Sequence, residues 1–236
     1  MSAQPPRQLI FDIAPSPAYG PEDFLVAPSN QLAFDFIAAW PRWPSATAIL
    51  VGPSGVGKSH LLEIWRQRSQ ATTLPVSALT ERDVPHLMPE GGRVALECAA
   101  DAEIEQPALF HLLNAARENR GHVLIAARTP PALWGLTLPD LISRLSAAPA
   151  IHIQPAEDEL LRGVLVKLFA DRQCAIDEAL VAYLMTRMPR SLGDARKIVA
   201  AIDERALELH TGATRAIAGQ TLAELFGADL PSDDAL

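Results

Sequence analysis

The sequence predicts an α/β fold in which helices wrap a parallel sheet, followed by a small all-helical domain. Three observations predict it. Short apolar segments alternate with helix-spaced ones over residues 23–152. One apolar segment, Ala48-Ile49-Leu50-Val51, runs directly into Gly52-Pro53-Ser54-Gly55-Val56-Gly57-Lys58-Ser59, which fits G-x-x-x-x-G-K-[ST] in full. After Pro155 only helical spacing remains. Short buried strands alternating with helices need a parallel sheet covered on both faces.

Taken in order, residues 1–22 carry Pro5, Pro6, Pro15, Pro17 and Pro21 and read as an extended tail. Its one apolar island, Gln8-Leu9-Ile10-Phe11-Asp12-Ile13, suits either a strand packed on the body or a linear motif docked on a partner. Residues 30–40 read as an amphipathic helix, 47–51 as a buried strand and 58–70 as the helix leaving the glycine-rich loop. Strands are expected at 74–78, 93–96, 122–127 and 151–153, with helices at 107–119 and 139–145 between them. Helices at 157–172, 177–188 and 192–209 follow, the last opening on the cap-like Ser191-Leu192-Gly193-Asp194, and a short fourth is expected at 221–226. The division is therefore a tail (1–22), an α/β domain (23–154), a helical domain (155–227) and an acidic end (228–236).

The 236 residues, 49% hydrophobic and 20% charged, have the composition of an ordinary globular protein. A net charge of −8 argues against a dedicated duplex-DNA binder, whose affinity rests on neutralising phosphates. Cys98 and Cys174 are too few for a disulfide framework, and no metal-cluster spacing is present. No stretch has the length of a secretory or membrane-spanning segment, so a soluble cytoplasmic protein is expected.

The chemistry concentrates at the glycine-rich loop. Its glycines let backbone amides turn toward phosphate oxygens, and the following helix adds its positive end. Lys58 is expected on the β- and γ-phosphates and Ser59 on magnesium. Glu97, closing the strand Val94-Ala95-Leu96-Glu97-Cys98, is the candidate second magnesium ligand; the alternative is a polar strand end. The next position commonly carries the acid that orients the attacking water, and here it is Cys98, with Asp101 and Glu103 nearby. This points to a protein that binds nucleotide well and hydrolyses it poorly unaided.

In combination these segments resemble the AAA+ domain of the bacterial replication initiator DnaA. The likeness is carried by Asp23-Phe24-Leu25-Val26-Ala27-Pro28-Ser29-Asn30-Gln31-Leu32-Ala33, the loop through His60 and Leu61, Phe110-His111-Leu112-Leu113-Asn114, Thr129-Pro130-Pro131, Leu141-Ile142-Ser143-Arg144-Leu145 and Asp194-Ala195-Arg196-Lys197. The resemblance implies an AAA+ P-loop core followed by a helical lid, with ADP or ATP and Mg2+ as cofactors. It places Leu25 and Val26 at the base, Gly52, Pro53, Ser54, Gly55, Val56, Gly57, Lys58, Ser59 and His60 at the phosphates, and Arg196 as a lid arginine reaching its own nucleotide. For Arg196 the alternative is a surface pair with Asp194 or Glu204. Arg144 is implied as an arginine finger acting in trans on a neighbour's γ-phosphate.

A truncated core without the initiator's DNA-reading domain looks like the Hda family of initiator-inactivating proteins. In that family a short motif binds the DNA polymerase sliding clamp, and Gln8, Leu9, Ile10, Phe11, Asp12 and Ile13 are similar to it. The implied partners are the initiator and the clamp, with DNA touched only indirectly, no membrane, nucleoid association through the clamp, and a homo-oligomer left open. Cys98 and Ala126-Ala127-Arg128, with Arg128 where an acid is expected, depart from the family pattern and weigh against autonomous catalysis. Two other functions stay open: a self-sufficient ATPase of helicase-loader type, and a non-catalytic initiator-like adaptor.

Overall fold

The computed structural model describes residues 20–99 and 102–227. The island at 8–13, Asp101 and the acidic end at 228–236 lie outside the described residues. Five parallel strands form one sheet: β1 (Thr47–Val51), β2 (Thr72–Pro75), β3 (Arg93–Cys98), β4 (His122–Ala127) and β5 (Ala150–His152), in spatial order β2-β3-β4-β1-β5. The α/β part carries the helices α1 (Gln31–Ala38), α2 (Lys58–Ser69), α3 (Val84–Leu87), α4 (Gln106–Glu118) and α5 (Pro139–Ala147).

The loop strand β1 lies between β4 and β5 and is buried at all five positions, which is why its sequence is an unbroken apolar run. On one face Leu50, Leu124 and Ala126 pack under Leu61 and Trp65 of α2 and Ile37 of α1. On the other, Leu96, Ile125 and Cys98 pack under Leu109 and Leu112 of α4 and Leu141 of α5. Strand order places β4 between β1 and β3, so the residue leaving β4 stands between the glycine-rich loop and the end of β3.

The strand expected at 74–78 is β2, two residues earlier. Pro75 has no N–H to continue the ladder and sits on the edge strand, where proline is tolerated. Val76–Ala78 turns instead into a 3-10 helix that drives Val76 into the core. The short α3 was not expected from the apolar spacing.

Four helices complete the described residues: α6 (Asp158–Asp171), α7 (Glu178–Arg187), α8 (Leu192–Glu208) and α9 (Arg215–Phe226). They share a core of their own around the fully buried Phe169, with Leu165, Leu184, Ile198 and Leu222. Asp177, Ser191 and Thr214 cap α7, α8 and α9 by accepting from the amides of Leu180, Asp194 and Ile217. Helix α9 begins six residues before the expected 221, at the Thr214 cap; Gly219 in its middle weakens the sequence signal. A Cβ at Gly219 would stand 2.8 Å from the Tyr183 hydroxyl oxygen, so tight packing against α7 accounts for that glycine.

Candidate functional site

Between the sheet's C-terminal edge and the four-helix unit lies an open cavity of about 890 Å³. Its floor is the glycine-rich loop. Gly55 and Gly57 hold φ of +76° and +101°, which side chains with a Cβ rarely adopt, so the turn from β1 into α2 requires them. Gly52 has a different constraint, since a Cβ there would lie 2.6 Å from the Ile153 carbonyl oxygen. Lys58 curls back, its Nζ donating to the carbonyls of Gly52 (2.8 Å) and Pro53 (2.7 Å). Burial depresses the Lys58 pKa and the like charge of Arg128 adds to the shift, while Glu97 opposes it.

Ser54, Gly55, Gly57, Lys58, Ser59 and His60 line the cavity. Val56 is buried in the core beneath the loop, and Pro53 is exposed with its carbonyl turned to Lys58. Glu97 lines the cavity with Ser59, and the two offer a carboxylate and a hydroxyl of the hard-oxygen type that suits magnesium. Cys98, one residue on, also borders the cavity, but it packs into the core of the opposite sheet face, where burial pushes its thiol pKa up. Arg128 leaves β4 and reaches the cavity near enough to Lys58 to bear on its charge.

The wall opposite the loop begins before α1. The buried Asn30 accepts from the Ala27 amide (2.9 Å) and donates to the Leu25 carbonyl (3.0 Å), pinning that segment. Leu25 lines the cavity and faces Gly163 of α6, whereas Val26 is 40% exposed and stands outside the lining. Asp23 pairs with Lys167 of α6 at 2.7 Å, and the hydrogen bond from that ammonium lowers its pKa. Nothing in the spacing of the sequence pointed to this pair, because its members lie on separate segments.

His60 joins three pieces of the wall. Gly20's carbonyl can only accept, so at 3.2 Å it places the ring proton on Nε2; Nδ1 then accepts from Arg196 Nη2 at 3.1 Å. Phe24 meets the ring edge-on at 5.1 Å. Burial, first among the causes, lowers the His60 pKa and keeps the ring neutral. Arg196 therefore reaches the cavity from α8, braced by the third residue of α2. Arg144 takes no part in the lining of this cavity. It lies half-buried on α5 with its guanidinium 5.4 Å from the Phe110 ring centroid.

No protein-family model matches the chain. Its fold is similar to domain III of the Thermotoga maritima replication initiation protein DnaA (TM-score 0.72, 16% identity, 89% of this chain and 97% of that one). It is also similar to the AMPPCP-bound DnaA of Aquifex aeolicus (TM-score 0.65, 16% identity, 82% and 67%). The Thermotoga maritima RuvB Holliday junction branch migration motor matches at TM-score 0.58, with 15% identity over 76% of this chain and 61% of that one. The chain has the DnaA-like AAA+ fold, a P-loop α/β core followed by a helical unit. Among the described residues no helix is long and apolar enough to cross a membrane.

Proposed function

We propose that this chain is a nucleotide-binding AAA+ regulator that acts on the bacterial replication initiator, promoting hydrolysis of the ATP the initiator holds. The observation that carries the reading is the combination at the sheet edge. A complete phosphate loop faces the helical unit across a roomy cavity, while the position expected to hold a catalytic acid carries Cys98, a buried thiol at the cavity's border. Such a site is equipped to hold ADP or ATP and poorly equipped to activate water. In this reading Lys58 leaves its loop carbonyls for the phosphates, and Arg128 and Arg196 add positive charge. Ser59 and Glu97 would hold Mg2+, which supplies charge neutralisation at the phosphates.

Arg144 is the residue proposed to act outward. It lies off its own cavity, half-exposed and backed by Phe110, so its charge is available to a nucleotide held by a neighbouring AAA+ domain. Residues 8–13 would tether the chain to the sliding clamp, raising its effective concentration near the initiator.

The test loads the initiator with labelled ATP, adds clamp on DNA, and follows conversion to ADP with wild-type chain or Arg144→Ala. Conversion that needs the clamp, the chain and Arg144 is expected. Conversion unchanged by Arg144→Ala would assign the chain to a non-catalytic adaptor role. Rapid ATP turnover by the chain alone would instead make it a self-sufficient ATPase. Gln8→Ala with Leu9→Ala should abolish clamp binding and leave nucleotide binding intact.

A further inference from the structure

The start of α8 touches the phosphate loop backbone to backbone. The Leu192 amide donates to the Gly55 carbonyl at 2.9 Å. A Cβ on Gly193 would stand 3.3 Å from Gly55 Cα, and a Cβ on Gly55 would collide with the Ser191 hydroxyl. Two glycines therefore meet where the two units join: Gly55 also needs its φ of +76°, and a side chain on Gly193 would press on the Gly55 backbone. Lys58 holds the carbonyls of Gly52 and Pro53 while α8 holds that of Gly55, so the loop's carbonyls are gathered by an ammonium and by the helical unit.

We infer that Leu192 and Gly193 are positioning residues, forming a backbone latch that sets the helical unit's place from the conformation of the phosphate loop. A trans peptide carries its C=O and N–H on opposite sides. Holding the Gly55 carbonyl therefore fixes the orientation of the Gly55–Val56 peptide, and rotating that peptide breaks the latch. Any ligand that reshapes the loop then acts on α8 directly, and with α8 on Arg196 one turn further along. Linkage makes the effect reciprocal: a latch sensitive to ligand alters ligand affinity by the same factor. The link to nucleotide rests on the function proposed above; the latch itself does not.

The geometry supplies a selective test. Leu192 is the first residue of α8, the one helical position where proline is well tolerated, and Ser191 before it is extended (φ −138°, ψ 127°), as a residue preceding proline prefers. Leu192→Pro thus removes the donor and spares the helix, and Leu192→Ala removes the side chain and spares the donor. Hydrogen exchange of the amides at 196–199 is measured in full-length chains without nucleotide, and ADP affinity is titrated with magnesium present. Leu192→Pro is expected to speed exchange and weaken ADP binding about three- to tenfold beyond Leu192→Ala, the worth of one net hydrogen bond.

Gly193→Val provides a second arm should the proline variant fail to fold. Helix propensity alone predicts slower exchange for this change, whereas the latch predicts faster exchange, because a Cβ there already stands 3.3 Å from Gly55 Cα and the further methyls have to displace α8. Equal exchange in the proline and alanine variants at 192, or slower exchange in Gly193→Val, would overturn the latch. If exchange changes as expected while ADP binds no chain, including wild type, the latch stands and the nucleotide reading falls.

Discussion

His60 is the position at which a single substitution should loosen the most of the cavity wall. It is 4% exposed and joins α2 to the Gly20 carbonyl, the Phe24 ring and Arg196 of α8. Each hydrogen bond is worth about 1 kcal/mol net, and the edge-on ring contact about 0.5–1.5 kcal/mol. His60→Ala should therefore lower unfolding free energy by about 2–4 kcal/mol, while His60→Gln, which keeps a donor and an acceptor, should cost about half as much. The pH dependence isolates the ionisation. Burial holds the folded pKa below the value near 6.5 of a free imidazole, so below that pH the unfolded chain binds the proton and the folded chain resists it. The contribution of neutral His60 is complete above pH about 6.5 and is lost as pH falls toward the folded value. Urea unfolding at about pH 7.5 and about pH 5.5 measures the slope. His122 is depressed in the same sense by burial and Arg93, so the quantity to read is wild type minus His60→Gln. An identical pH slope in the two chains would refute a neutral His60 at this junction.

Three other perturbations probe the fold and the site. Cys174 should react with a thiol reagent in the native protein and Cys98 only on unfolding, because burial keeps the Cys98 thiol protonated and covered; thiol release against urea concentration follows both. Asp23→Asn should cost about 0.5–1 kcal/mol, since the bond to Lys167 is only partly shielded. Lys167 holds the Asp23 pKa below its usual value, so this stabilisation is present above pH about 3.9 and disappears as pH falls through the lower folded value, which an acid-unfolding comparison of the two chains reads out. Leu50→Ala, at a fully buried position on the loop strand, should cost about 3–5 kcal/mol in urea unfolding.

Most of the fold was legible because burial writes itself into composition. The apolar runs at 47–51 and 122–127 coincide with β1 and β4, the central strands, and the helix-spaced segments after Pro155 coincide with α6, α7 and α8 to within one residue at either end. Elements at the margins read less well. At β2 a proline decided where pairing stops, and at α9 a glycine packed on Tyr183 masked the helix. The site divided similarly. The phosphate loop is a contiguous motif and was readable, but the Asp23–Lys167 pair, the His60–Arg196 contact and the meeting of Gly55 with Gly193 each join distant segments. No spacing rule within one element encodes them.

The end of β3 sets what an acid placed at position 98 would cost. Successive side chains of a strand face opposite ways, and here Glu97 lines the cavity while Cys98, at the cavity's border, packs into the core beside Leu96. Cys98→Glu would place a carboxylate against that apolar layer at a cost of about 2–4 kcal/mol. The neighbouring strand, β4, instead brings Arg128 to the gap between loop and β3. Among the cavity cations Lys167 is matched by Asp23 and Asp171, Lys197 by Asp194, and Arg172 by Asp203, while Arg196 meets His60. Lys58, by contrast, has loop carbonyls as its hydrogen-bond partners and Arg128 as a like-charged neighbour, against Glu97. A chain of net charge −8 thus brings Lys58, Arg128 and Arg196 into the lining of the cavity above the glycine-rich loop. In the function proposed above, those three cations would offset the charge of bound phosphates, with Glu97 lining the cavity at the end of the neighbouring strand.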